Sequence, residues 1–139
     1  MLIARALLDD LLAHVLEDPA NEICGVVAVR DDNGPVEEAR ATAVHRAANK
    51  HASPMKFEIE PAELLAMYDL IEEHGERIGA IYHSHVRSPP YPSQTDVSFA
   101  ANWPGVEWII VGLAGGSEPE VRSYLIEQAR IREVELRVQ

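Results

Sequence analysis

The chain has 139 residues, 47% hydrophobic and 25% charged, with 12 basic against 23 acidic side chains and a formal charge of −11. Such proportions predict one globular domain over 1–139 with its own core, and the acidic balance argues against nucleic acid and anionic lipid, which both call for a basic face. A lone cysteine, Cys24, rules out an internal disulfide and fits a reducing cytoplasm. No apolar run is long enough to span a membrane and no signal-peptide layout opens the chain, so the expected location is cytoplasmic.

From Ile3 to Glu17, Leu7, Leu8, Leu11, Leu12 and Val15 recur at helical spacing, and Asp18-Pro19 ends the helix. Glu22 to Arg30 reads as a strand with Val26, Val27 and Val29 at its centre. Asp31-Asp32-Asn33-Gly34 offers the positive φ of a tight turn, and Val36 to His45 is the expected return strand. Ala47 to Glu60 has neither period and reads as a long loop, either a wall of a cleft or a surface connection. Pro61 opens a helix whose stripe is Leu64, Leu65, Tyr68 and Ile71, closed by His74-Gly75.

Ile78 to Tyr82 then forms a buried strand leading into His83-Ser84-His85. A loop with three prolines follows, and Ser93 caps a short helix that stops before Pro104-Gly105. Val106 to Gly112 is continuously apolar and therefore central. Leu113 to Ser117 turns the chain, and strands over Pro119–Ile126 and Arg130–Val138 complete it. Strands joined by hairpins and interleaved with helices predict an α/β fold with a mixed, largely antiparallel sheet.

The chemistry concentrates around His83. With a side-chain period of two, His83 and His85 point to one face about 7 Å apart along the strand, close enough to share one metal ion. Asp96 lies in the first turn of the helix capped by Ser93. Two imidazoles, one carboxylate and an open fourth position make the donor set of a catalytic zinc site. The plain alternatives are a structural His-x-His and an ordinary capping box in Ser93-Gln94-Thr95-Asp96. Nitrogen and oxygen donors also suit iron or cobalt.

Adding Glu22-Ile23-Cys24-Gly25 completes a pattern: a glutamate, then His-x-His, seven residues, Ser, two residues, Asp. This set resembles the JAMM (MPN+) metalloproteases over most of the chain, least in the C-terminal quarter. Within that family, the run Ala48 to Ile59 looks like the small stand-alone bacterial members that act on ubiquitin-like sulfur-carrier proteins. The resemblance implies an α/β/α sandwich with a curved sheet. It assigns Zn2+ to His83, His85 and Asp96, the general base to Glu22 and an oxyanion donor to Ser93. The implied reaction is hydrolysis of the amide after the carrier's C-terminal Gly-Gly, releasing cysteine in sulfur assimilation. A homodimer is left open.

Three other readings stand beside this one. A broader deubiquitinase-like isopeptidase would cleave lysine linkages. A non-catalytic MPN-type binding module would lack the ligands, all of which are present here. A Cys-His hydrolase would use Cys24, which shares the parity of Glu22. Ser84 faces away from the ligands and is expected to support them, for instance by orienting an imidazole. Glu22 without its downstream partners would be only a solvated strand-end carboxylate.

Overall fold

The computed structural model describes residues 1–116 and 118–139. Its elements run β1 (Leu2–Ile3), α1 (Arg5–Leu16), β2 (Cys24–Arg30), β3 (Ala41–Ala47), α2 (Pro61–Glu73), β4 (Glu76–His85), α3 (Gln94–Ala100), β5 (Glu107–Gly112), β6 (Glu120–Glu127), β7 (Arg130–Val134) and β8 (Arg137–Val138). Six of the strands form one sheet in the order β3-β2-β4-β5-β6-β7. Every neighbouring pair is antiparallel except β4 and β5, whose parallel pairing needs the crossover through α3.

Alternating side chains of the central strands supply two cores. Val27, Val29, Ala80, Tyr82, Ile109 and Val111 meet Leu8, Leu11 and Val15 of α1 on one face. On the other, Val26, Ala28, Ile81, Trp108 and Ile110 meet Phe57, Ile59, Ile71 of α2 and Ala100 of α3. The result is the expected α/β/α layering of a mixed sheet. Gly25 is required by this packing, because a Cβ there would collide with the ring of Tyr82. Glu107, fully buried in β5, is met by the nitrogen of Met1 at 2.8 Å and the hydroxyl of Ser123 at 2.7 Å.

Several boundaries differ from the sequence reading. Asn33 takes its positive φ of 58°, yet no tight hairpin follows. Val36–Glu38 is instead a 3-10 turn that tucks Val36 into the core, so β3 starts only at Ala41. On α2 the buried side is narrower than the predicted stripe: Ile71 is buried and Leu64 half-buried, whereas Leu65 and Tyr68 are 60% and 47% exposed. This helix meets the sheet along one edge, positions 64, 67 and 71, which a stripe four residues wide exceeds.

The last predicted strand is two. Arg130–Val134 pairs with β6, after which Arg137–Val138 leaves the sheet to pair with β1. A two-residue strand such as β1 has no period to detect. In the turn after β5, Gly116 has φ 97°; the end of that predicted turn, Ser117, lies outside the described residues.

Candidate metal centre and active site

His83 and His85 close β4 on the face shared with Ile81, and both are buried. His83 pairs in register with Cys24 on β2 and Ile110 on β5, so it stands at the middle of the sheet. Asp96 comes to it through a reciprocal cap: the Ser93 hydroxyl accepts from the Asp96 amide at 3.1 Å, and the Ser93 amide donates to Asp96 Oδ2 at 2.8 Å. The structure thereby brings together the three residues expected to hold a metal. His83 Nε2 lies 3.1 Å from His85 Nε2, and Asp96 Oδ2 lies 3.3 and 3.4 Å from those two nitrogens.

That triangle is a test of fit. Three donors of one tetrahedron with bonds of about 2.0–2.1 Å stand about 3.3–3.4 Å apart, close to the observed edges. His85 Nδ1 sits 2.8 Å from the Pro89 carbonyl, to which only its N–H can donate. The tautomer is therefore fixed with an unprotonated Nε2 facing the other donors. Two ring nitrogens and a carboxylate oxygen at such distances fit a shared divalent cation. Burial lowers the pKa of His83, favouring the neutral imidazole a metal ligand needs. Burial opposes ionisation of Asp96, yet hydrogen bonding with His83 and His85 holds its carboxyl well below the usual range.

Glu22 does not open β2 but sits just before it, buried, in a segment held through its backbone groups. Its amide donates to the Ser53 carbonyl at 2.8 Å, and its carbonyl accepts from Asn49 at 3.0 Å. Its carboxylate makes no hydrogen bond among the described residues. Burial, reinforced by the charge of Asp96 and opposed by that of His85, pushes its pKa up to about 7. Ser93 is exposed, and its hydroxyl, accepting from Asp96, keeps its own proton to donate.

Ser84 gives the expected support from behind the ligands, though not by orienting an imidazole. Its hydroxyl accepts from the amide of Ile23 at 2.9 Å, while its own amide donates to the Ile23 carbonyl at 3.0 Å. It clamps the segment carrying Glu22 to the strand carrying the histidines and makes no hydrogen bond to an imidazole among the described residues. The Ser84→Ala variant therefore leaves a buried amide without its acceptor. It should lose about 1–3 kcal/mol of stability by denaturant titration, retain its metal, and lose turnover by slackening Glu22.

Sequence reasoning missed Asn49 and Phe57. Asn49 binds the Glu22 and Lys56 carbonyls through its amide nitrogen and accepts from the His51 and Glu58 amides through its oxygen. It is the knot of the 48–60 loop, where the lack of regular periodicity and the resemblance of the run Ala48 to Ile59 both hinted at a role. Phe57 stacks on His83, ring centroids 4.4 Å apart and planes 24° apart, so this loop is a wall of the site. Cys24 is fully buried with its pKa pushed up to about 12, chiefly by burial. A thiol so reluctant to ionise makes a poor nucleophile. His14, within 2.6 Å of the Tyr82 hydroxyl, is satisfied inside the opposite core.

Comparison with known proteins agrees with this geometry. Residues 4–127 match the family described as prokaryotic homologs of the JAB domain. A desampylase of Haloferax volcanii is 36% identical over 107 residues, covering 73% of either chain. A CysO-cysteine peptidase of Mycobacterium tuberculosis is 31% identical over 134 residues, 96% of this chain and 88% of the relative. The solution structure of a Desulfitobacterium hafniense protein superposes with a TM-score of 0.84 at 27% identity, covering 100% of this chain and 93% of the other.

Proposed function

This chain belongs to the prokaryotic homologs of the JAB domain and is a hydrolase, and from that premise we propose that it is a zinc-dependent peptidase acting on a ubiquitin-like sulfur-carrier protein. It cuts the amide after the carrier's C-terminal Gly-Gly and releases a single amino acid, cysteine, in the cytoplasm. The observation that carries this reading is the tetrahedral fit of His83, His85 and Asp96, with Glu22 buried two residues before Cys24, the register partner of His83. The relative named as a CysO-cysteine peptidase, aligned over 96% of this chain, supports the choice of substrate.

A zinc ion on the three ligands would polarise the scissile carbonyl and make the attacking water more acidic. Glu22 takes the proton of that water and delivers it to the leaving amine. A carboxyl pushed up to about 7 suits both halves of this transfer at neutral pH. The Ser93 hydroxyl donates to the oxygen on which negative charge develops. His85 is held in its ligating tautomer by Pro89, and Asp96 by the cap on α3. The 48–60 loop, with Phe57 against His83, shields the ligands from water on one side.

The decisive experiment uses a ubiquitin-like sulfur carrier extended by one cysteine after its Gly-Gly. Chelation should abolish release of the cysteine, and added zinc should restore it. Cleavage that survives chelation but is lost on alkylating Cys24 would replace this mechanism with a cysteine nucleophile.

A further inference from the structure

We infer that Arg87 is a specificity-determining residue that receives the free α-carboxylate of the amino acid being released. The inference rests on the peptidase reading above and names the leaving group that the site selects.

β4 and β5 run parallel, and their carboxyl ends stand side by side: His85 pairs with Gly112, and the Leu113 amide donates to the His85 carbonyl at 3.0 Å. The segments leaving both strands rise at the end of the sheet where the metal ligands sit, the usual position of a ligand crevice between parallel strands. Between them is a cavity of about 150 Å³, lined by Arg87, Ser88, Pro89, Pro90, Gly112 and Glu120 among others. A space of that size can take a small polar group such as a terminal carboxylate.

The wall that carries Arg87 is fixed. His85 Nδ1 donates to the Pro89 carbonyl, and the Tyr124 hydroxyl donates to the Pro90 carbonyl at 2.5 Å. The Pro90 ring lies so close over Gly112 that a Cβ there would be 2.8 Å from it. This cavity is therefore coupled to a metal ligand through one side chain and the strand register.

Charge decides what the cavity takes. The chain carries a formal charge of −11, so an anion needs a cationic partner at the cavity itself. Glu120, the carboxylate lining the cavity, is already bound by Arg122 at 2.7 and 2.8 Å. Arg87 is exposed and has no carboxylate within ion-pair distance among the described residues. A guanidinium with its fork unspent suits a bidentate carboxylate. A single residue joined to the carrier's glycine presents such a carboxylate next to the scissile amide. In a lysine-linked conjugate the lysine's α-carboxyl is tied up in a peptide bond. Arg87 thus separates release of one amino acid from cleavage of protein conjugates.

The test measures binding without turnover. Zinc-loaded Glu22→Gln protein is titrated into fluorescent peptides ending Gly-Gly-Ser, with either a free carboxylate or a carboxamide at the terminus. Serine keeps a substrate thiol away from the metal. We expect the carboxylate to bind about 10–100-fold more tightly, the worth of one charged hydrogen-bonded pair. Adding Arg87→Gln should erase the preference, and Arg87→Lys should keep part of it. An unchanged preference in Arg87→Gln, no preference in the Glu22→Gln protein, or no binding of either peptide overturns the inference. Hydrolysis of the carrier–cysteine adduct by the zinc-loaded wild type is scored separately. Its persistence leaves the peptidase reading standing while Arg87 loses its role, and its absence removes the reading itself.

Discussion

Replacing Glu22 by Gln is expected to leave one equivalent of metal bound while turnover falls by about 10²–10⁴-fold, the usual contribution of a positioned general base. The substitution keeps the shape of a buried side chain, so no cavity forms. It removes only the ability to take up and return a proton. Metal analysis and steady-state kinetics on the same preparation check both halves of the prediction. Equal metal loss in the variant and in a ligand mutant would mean that Glu22 binds the ion.

Stability supplies an independent check of the same residue. Burial raises the Glu22 carboxyl to about 7, above its value in an unfolded chain. The folded state therefore holds that proton more tightly than the unfolded one, and the residue costs stability as pH rises through about 7. Gln carries no charge to desolvate. In the metal-free protein the variant should accordingly resist denaturant at least as well as the wild type at pH 8, and the gap should close as pH falls from about 7 to the unfolded carboxyl pKa.

Replacing His85 by Ala should have the opposite signature, with metal lost on dialysis and activity reduced to that of the chelated wild type. Partners that merely orient a ligand are worth about 10–100-fold in metal affinity, and removal of a ligand exceeds that. The variant also removes one of the two donors to the Pro89 carbonyl, leaving the Tyr91 amide, and so unties the loop carrying Arg87 from β4. Asp96→Asn separates the two effects, because it removes the ligand's charge and leaves His85 bonded to Pro89. If Asp96→Asn retains a full equivalent of zinc at wild-type affinity, the three-ligand assignment fails.

Much of this molecule is legible along the chain. The period-two pattern of Ile78 to His85 places both imidazoles on one face, and in the structure they share the core of Ile81 and Trp108. Ser93 and Asp96 read as a cap, and the cap is there with both hydrogen bonds. Where the reading went astray, the cause is geometric. The predicted stripe of α2 is wider than the edge by which the helix meets the sheet, leaving Leu65 and Tyr68 in water. The return to β3 is longer than Asn33-Gly34 suggests because the core first takes in Val36. Ser84 was expected to support the site, and the partner of its hydroxyl is the amide of Ile23, 61 residues away in the chain.

Local chemistry alone determined the donor set: residue types, a spacing of two in a strand and a spacing of three at a helix start are short-range facts that backbone geometry converts directly into direction. Only the tertiary structure decided that Asp96 Oδ2 closes on both imidazoles, that Glu22 is buried beside them, and that Asn49 and Ser84 hold it there. Those are pairings between distant segments, set by the register of β2 on β4 and by the crossover into β5. No periodicity within one segment encodes its register against another; that is fixed when the two apolar faces of the sheet are buried together.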